Sequence, residues 1–329
     1  MDVCMFSAKR YDRESFDATN DGRHRLSYVD VRLDAATTGL AAPGAAVCAF
    51  VNDDLSAPVL QALAARDVRA VALRCAGFNH VDLTAAAAAG ITVVRVPAYS
   101  PNAVAEHTLA LILALNRHIP RAYNRVRDGN FALDGLLGFD LAGKTAGVIG
   151  TGKIGALVAR LLWHLRCDVV AADPYPDAGL QQLGVRYASI PDVIATADVL
   201  SLNCPLTPET HHLINAAAIA TMKPGVMLVN TGRGALIDTV AVVDGLKSEQ
   251  IGSLALDVYE EEGSLFFEDR SDQIIADDVF ARLLVFPNVL VTAHQAFFTR
   301  EALAAIAATT LANVDDVEAG RPCPNEVRA

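Results

Sequence analysis

Val148-Ile149-Gly150-Thr151-Gly152-Lys153-Ile154-Gly155, with Asp173 eighteen residues after the last glycine, decides how this chain folds. The stretch reads as the end of an apolar strand, a tight glycine turn and the first turn of a helix. Its glycines have separate tasks: Gly150 makes the turn, Gly152 lets backbone approach a pyrophosphate, and Gly155 packs helix on strand. The phosphate then lies on the unpaired N–H groups and the positive dipole end of that helix. A glycine turn alone is common in α/β chains, so the flanks matter. Lys144–Ile149 leads in, Ala156–Leu165 continues with helical apolar spacing, and Val169–Ala172 leads to Asp173. This predicts a full βαβ unit with an acid placed for a pair of ribose hydroxyls. Asp173 is followed by Pro174-Tyr175-Pro176 and no Arg, which favours NAD over NADP, whose extra phosphate the acid would repel.

A length of 329 residues is long for one core and suits two domains. Apolar residues make up 52% and charged residues 20%, a globular composition that excludes disorder. The longest uncharged run, Ala35–Asn52, carries Gly39, Pro43 and Gly44 and does not suit a membrane helix. Met1–Phe6 has no basic region and no cleavable apolar core, so no secretory signal is expected. The six cysteines, among them Cys204, are scattered, with no CxxC pair and no His at metal spacing. Reduced thiols, a cytoplasmic location and no metal site are therefore expected. A net charge of −11 argues against a nucleic-acid or anionic-membrane partner.

Before the fingerprint, Asp2–Phe6, Leu26–Val31, Ala46–Val51, Ala70–Arg74 and Thr92–Val96 read as strands. Helical segments fall between several of them, such as Pro58–Ala65 behind Ser56 as N-cap. This alternation suggests a small parallel-sheet domain of the flavodoxin type. Tyr99-Ser100-Pro101 then provides an N-cap and a helix-starting proline. The helix over Asn102–Asn116 is apolar almost all round, which predicts burial, either in ordinary core or against a second subunit or domain. Asp128–Gly143, with four glycines, reads as a loop. Strand–helix alternation resumes with strands at Thr145–Ile149, Val169–Ala172, Val199–Asn203, Val226–Asn230, Ser253–Leu256 and Val289–Thr292. The connection Tyr259–Phe286 is unusually long and acidic, which points to function or disorder. Arg300–Gly320 reads as one long helix. The expected fold class is α/β with two domains: a flavodoxin-like substrate-binding domain from residues 1–99 and 297–329, and a doubly wound Rossmann NAD-binding domain over 100–296.

Three places past the ends of predicted strands suit chemistry, because open α/β sheets bind ligands there. Arg233, between Gly232 and Gly234, can meet a carboxylate with two parallel hydrogen bonds; a solvated surface Arg is the competing reading. His294 is the best placed of eight histidines to exchange a proton near neutral pH, against a core histidine bonded to backbone. The pair His211-His212 looks more like the surface at a helix start. Glu260, Glu261 and Glu262 follow another strand. A carboxylate bonded to an imidazole fixes the ring's orientation and favours its charged form, but sequence alone leaves all three acids open.

Gly150–Gly155, the segment Asn230–Asp238, Ala255–Glu260 and His294 together resemble the D-isomer-specific 2-hydroxyacid dehydrogenase family. The resemblance runs from Arg74-Cys75-Ala76-Gly77-Phe78-Asn79 onward, with four motifs in order. Glu268-Asp269, Asp277–Phe280 and Cys323–Glu326 look like its fermentative D-lactate dehydrogenase branch. The resemblance implies reduction of pyruvate to D-lactate by NADH, regenerating NAD, with Arg233 on the substrate carboxylate. It makes His294 the acid/base and, among the three acids, Glu262 its partner. Cofactor contacts fall by the same resemblance on Lys153 and Ile154, Asp173, Cys204 and Pro205, Thr210, Thr231, Gly232, Arg233 and Asp257. Backbone at Ala76 and Gly77 and the side chain of Tyr99 face substrate in similar enzymes. The helix Ser100–Asn116 resembles a dimerisation helix, implying a homodimer or homotetramer. One departure is Phe297-Phe298, where some lactate-specific relatives have tyrosines.

Two other readings stay open. The same chemistry suits phenylpyruvate, a branched 2-keto acid, hydroxypyruvate or glyoxylate, although Phe50, Tyr99, Phe297 and Phe298 suit a small apolar pocket. A reading from a different class is an NAD-sensing corepressor, which calls for extensions that are not visible here.

Overall fold

The computed structural model describes residues 1–328 and divides the chain into two compact units, Met1–Ser100 with the residues from Phe298 on, and Pro101–Phe297. The first unit starts with β1 (Asp2–Met5), α1 (Arg10–Asn20), β2 (Arg25–Tyr28), β3 (Ala46–Ala49), α2 (Ala57–Ala64), β4 (Ala70–Leu73), α3 (Leu83–Ala88) and β5 (Thr92–Val94). Every residue of β3 and β4 is buried, because helices cover both faces of a parallel sheet. That is why these strands read as unbroken apolar runs.

The second unit opens with α4 (Pro101–Asn116) and α5 (Ile119–Arg127), then β6 (Thr145–Ile149), α6 (Lys153–His164), β7 (Asp168–Ala172), α7 (Ala178–Leu183), β8 (Arg186–Tyr187) and α8 (Ile190–Thr196). It continues through β9 (Val199–Leu202), α9 (Ala216–Thr221), β10 (Val226–Asn230), α10 (Thr239–Lys247), β11 (Ile251–Leu256), α11 (Asp278–Leu284) and β12 (Val289–Val291). Its seven parallel strands lie in the order β12-β11-β10-β9-β6-β7-β8. Strand order reverses between β6 and β9, and an open α/β sheet binds ligand at such a reversal, outside the strand ends. The glycine fingerprint stands at the end of β6. Buried clusters cover both faces of this sheet, one around Leu200, Leu228 and Leu254 and the other around Val148, Val169 and Val229. Each such side chain contributes roughly 1.5–3 kcal/mol. The central strands are therefore firmly fixed and the loops at their ends are held on rigid supports.

The chain then re-enters the first unit with α12 (Arg300–Glu318) and β13 (Glu326–Val327). β13 pairs antiparallel with β5, giving a six-stranded sheet in the order β13-β5-β4-β3-β1-β2. Its parallel part has the flavodoxin order.

Several details differ from the expectations above. Helix α2 starts at Ala57, and Ser56 has N-cap backbone geometry but makes no side-chain cap bond. Strands β8 and β13 and helix α5 were not expected: two-residue strands carry too little pattern, and α5 holds no fully buried residue. Helix α4 buries Val104, Thr108, Leu111, Ile112 and Leu115 within its own unit and leaves Glu106 and Leu113 exposed. Its apolar face is thus ordinary core on one side. Arg300–Glu318 is one helix, and the acidic connection after β11 contains a 3-10 turn at Glu262–Ser264 and helix α11. Among the described residues no helix is long and apolar enough to cross a membrane, and no cysteine is in a disulfide.

Candidate active site

The turn after β6 is built for close approach. A Cβ on Gly155 would stand 1.8 Å from the Gly150 carbonyl oxygen, and one on Gly150, at φ +88°, would stand 2.6 Å from the Cys204 nitrogen. Both positions therefore require glycine. Gly152 meets nothing within 4 Å and caps α6 with no side-chain acceptor. The N–H groups of the first turn, at Lys153 and Ile154, thus face an open cradle, which fits a dinucleotide pyrophosphate. Asp173 at the end of β7 accepts the Thr151 N–H (2.6 Å) and the Tyr175 N–H (2.8 Å). A carboxylate has about four acceptor positions, so capacity for a ribose diol remains. Cys204, Pro205 and Thr210 lie on the loop after β9, beside Gly150. Thr210 closes that loop, donating to the Pro205 carbonyl (2.7 Å) and accepting from the Thr207 N–H (2.8 Å). Burial pushes the Cys204 thiol up to about 11, which keeps it unreactive.

Arg233 is presented by a turn that Asn230 organises. The fully buried Asn230 amide donates to the Arg233 carbonyl (2.8 Å), while its oxygen accepts the Gly232 N–H (3.0 Å). The guanidinium is half-buried, with one N–H on the Gly232 carbonyl (2.8 Å). The buried Thr231 hydroxyl pairs with that of Thr108 on α4 (2.8 Å). Gly234 lets the next turn press on the loop after β11, where a Cβ would stand 2.1 Å from the Tyr259 carbonyl carbon.

His294 is aimed by Asp257. The Asp257 carboxylate accepts the Thr292 hydroxyl (2.6 Å) and the Gln295 (2.9 Å) and Ala296 (3.0 Å) N–H groups, and its carbonyl accepts the His294 N–H (2.7 Å). The turn so formed holds His294 at φ +53°, a conformation non-glycine residues rarely adopt. His107 Nε2 adds a contact to Thr292 Oγ1 at 3.1 Å. Burial pushes the Asp257 carboxyl up, but bonds from His107, Thr292 and the Ala296 N–H outweigh it and hold the group below the usual carboxylate range. Asp257 is 1% exposed, and its acceptor positions anchor this turn. Neither His107 nor Thr292 carried a sequence signal beyond its place beside a motif.

Among the three consecutive acids, Glu262 meets the imidazole. Its Oε1 lies 2.7 Å from His294 Nδ1, and its Oε2 accepts the Tyr259 N–H (3.0 Å). Glu260 turns to His212 (2.5 Å) and to the Thr239 hydroxyl (3.1 Å). Of the pair read as helix-start surface, His211 is exposed, but His212 is half-buried and tied to another loop. Because β10, β11 and β12 are adjacent, Arg233, Glu262 and His294 follow the ends of three neighbouring strands. The rings of Phe267 and Phe297 flank His294, with centroids 5.6 and 6.4 Å away.

Ala76, Gly77 and Tyr99 belong to the first unit. Ala76 accepts from the Arg95 guanidinium (2.7 Å) and the Gly77 carbonyl accepts the Cys75 thiol (3.3 Å), while Tyr99 is half-buried after β5. Phe50 lies under the Arg74 guanidinium at 4.7 Å, and Phe298 meets Tyr11 edge-on at 4.8 Å.

Residues 109–296 match the family described as D-isomer specific 2-hydroxyacid dehydrogenase, NAD binding domain. The chain is 52% identical over 328 residues to the D-lactate dehydrogenase of Escherichia coli (strain K12), covering 99% of this chain and all of that one. It is similar, with a TM-score of 0.93 and 44% identity, to the structure titled as identification of the pyruvate reductase of Chlamydomonas reinhardtii, covering 99% and 98% of the two chains. A third likeness, with a TM-score of 0.83 and 30% identity over the full length of both chains, is to D-lactate dehydrogenase with NAD+ from Lactobacillus jensenii. With a glycine cradle that fits a dinucleotide and a histidine–carboxylate pair two strands from an arginine, the chain belongs to the D-isomer specific 2-hydroxyacid dehydrogenase family.

Proposed function

We propose that this chain is an NAD-dependent D-lactate dehydrogenase that reduces pyruvate to D-lactate. The observation that carries the reading is the His294–Glu262 pair at 2.7 Å, two strand ends from Arg233, in a chain half identical to a D-lactate dehydrogenase. With its pyrophosphate on the turn at Gly150–Gly155 and a ribose on Asp173, NADH would supply a hydride to the keto carbon. Arg233 takes the substrate carboxylate and offers positive charge to the oxygen that becomes anionic. His294 then donates the proton that completes the alcohol. With Nδ1 taken by Glu262, Nε2 is the nitrogen left for that donation. Glu262 fixes the ring and stands as an anion opposite the charge it carries beforehand. Phe267 and Phe297 make the wall beside His294 apolar, which suits a methyl group better than the hydroxyl of hydroxypyruvate.

A panel of 2-keto acids with NADH tests this reading. We expect the highest kcat/KM for pyruvate and D-lactate as the product on chiral chromatography. L-lactate, or a clear preference for phenylpyruvate or a branched acid, would overturn it.

The same proposal includes a homo-oligomer in the cytoplasm. Exposed large apolar side chains concentrate in one short stretch, with Ile119, Tyr123, Val126, Phe131, Leu133 and Leu137 all more than half exposed. A patch of that kind marks an interface, and a second copy of the chain is the partner that the resemblance of α4 implies. Leu137, 91% exposed, gives the test. Wild type should sediment as a dimer or tetramer, and Leu137→Glu should dissociate at least about tenfold more readily if this side chain is buried at the contact. Identical sedimentation of the two would remove this patch from any interface.

A further inference from the structure

We propose that His211, His212 and Glu260 form a binding site for one divalent first-row transition-metal ion, with zinc as the occupant. The ligand atoms of these residues lie within 4.8 Å of one another. Sequence spacing gave no hint of this, because Glu260 is 48 residues from His212 and only the fold joins them.

His212 and Glu260 are held in place. His212 has φ +50°, an uncommon conformation outside glycine, and its N–H is fixed on the Ala235 carbonyl (2.8 Å). The Asn215 amide holds its carbonyl (3.1 Å). This geometry puts two consecutive imidazoles on the same side, stacked with ring centroids 4.0 Å apart and planes 24° apart, and the exposed His211 ring turns out of the stack to aim its nitrogen at the ion. Consecutive residues in an extended strand would point oppositely. Across from them, Glu260 is oriented by the Thr239 hydroxyl on its second oxygen, the kind of outer hydrogen bond that orients metal-ligating carboxylates. The close packing of Gly234 on Tyr259–Glu260 fixes the backbone beneath.

Two imidazoles and one carboxylate suit zinc, copper or nickel, whereas magnesium and calcium call for oxygen ligands. A tetrahedral zinc site needs neighbouring ligands about 3.3 Å apart. His212 and Glu260, now 2.5 Å apart, open by under about 1 Å, and the widest pair closes by about 1.5 Å. His211 is exposed, so the ion has a path from solvent and water completes the coordination. The ion ties the loop after β9 to the loop after β11, two cross-linked supports that unfold together.

Calorimetric titration of the untagged, chelator-stripped chain with zinc chloride, repeated with nickel chloride, tests the site. One ion per chain is expected, with affinity at least tenfold weaker in His211→Ala and in Glu260→Gln. His211 is exposed and Glu260→Gln keeps the bond to Thr239, so neither variant depends on refolding the loop. Zinc should also raise the melting temperature of wild type and leave that of His211→Ala unmoved. No saturable uptake by wild type, or uptake by both variants with wild-type affinity, would overturn the proposal, the second by placing the ion elsewhere on the chain.

Discussion

Replacing His294 by alanine should lower kcat for pyruvate reduction by about 10²- to 10⁴-fold, the share a positioned acid contributes. NADH binding, read from nicotinamide fluorescence, should stay near wild type. The two readouts separate because the turn carrying His294 is held by backbone and by Asp257, neither of which the substitution removes: the Asp257 carboxylate still accepts from Thr292, Gln295 and Ala296. The folded frame and the glycine cradle at β6 therefore survive, and the loss falls on proton transfer. A kcat within about threefold of wild type would show that another group gives the proton.

Arg233→Lys should reduce kcat/KM for pyruvate by about 10- to 100-fold, with KM raised and kcat lowered together. The turn itself should persist, since Asn230 holds Gly232 and Arg233 through backbone groups that lysine also has. What disappears is the planar fork that binds a carboxylate through two parallel bonds. An ammonium restores the charge but cannot match the geometry, so rescue by charge alone is expected to be poor. Steady-state kinetics unchanged from wild type would remove Arg233 from the substrate site.

Much of the architecture was legible because parallel strands buried on both faces leave unbroken apolar runs. Thr145–Ile149 and Val226–Asn230 are such runs, and both strands keep the limits read from sequence. Elements whose order comes from tertiary contact were not legible. β8 and β13 are two residues long and hold no fully buried residue, so their pairing depends on neighbours already in place. The site shows the same division. Arg233 and His294 stood out by position after strands, but the sequence left Glu260, Glu261 and Glu262 equivalent. Their difference is made by chain direction after β11, which sends Glu262 to His294 and Glu260 to His212. The anchoring role of Asp257 was not legible, since nothing local shows that four bonds from residues 292–296 converge on it.

The chain leaves the first unit at Ser100 and re-enters it at Phe298, and this has a consequence for synthesis on the ribosome. Helix α1 and the first strands emerge early, yet their partners come last: α12 packs on α1, Asp315 bonds Arg23 (2.7 Å), and β13 closes the edge at β5. The second unit is contiguous and has all its strands at hand once residue 297 is free of the exit tunnel. At about 5–20 residues per second, the first hundred residues wait roughly 10–40 seconds for their missing helix. The unit whose synthesis starts first is thus the last that can complete its fold, and the opening segment is the part of the nascent chain that most needs shielding.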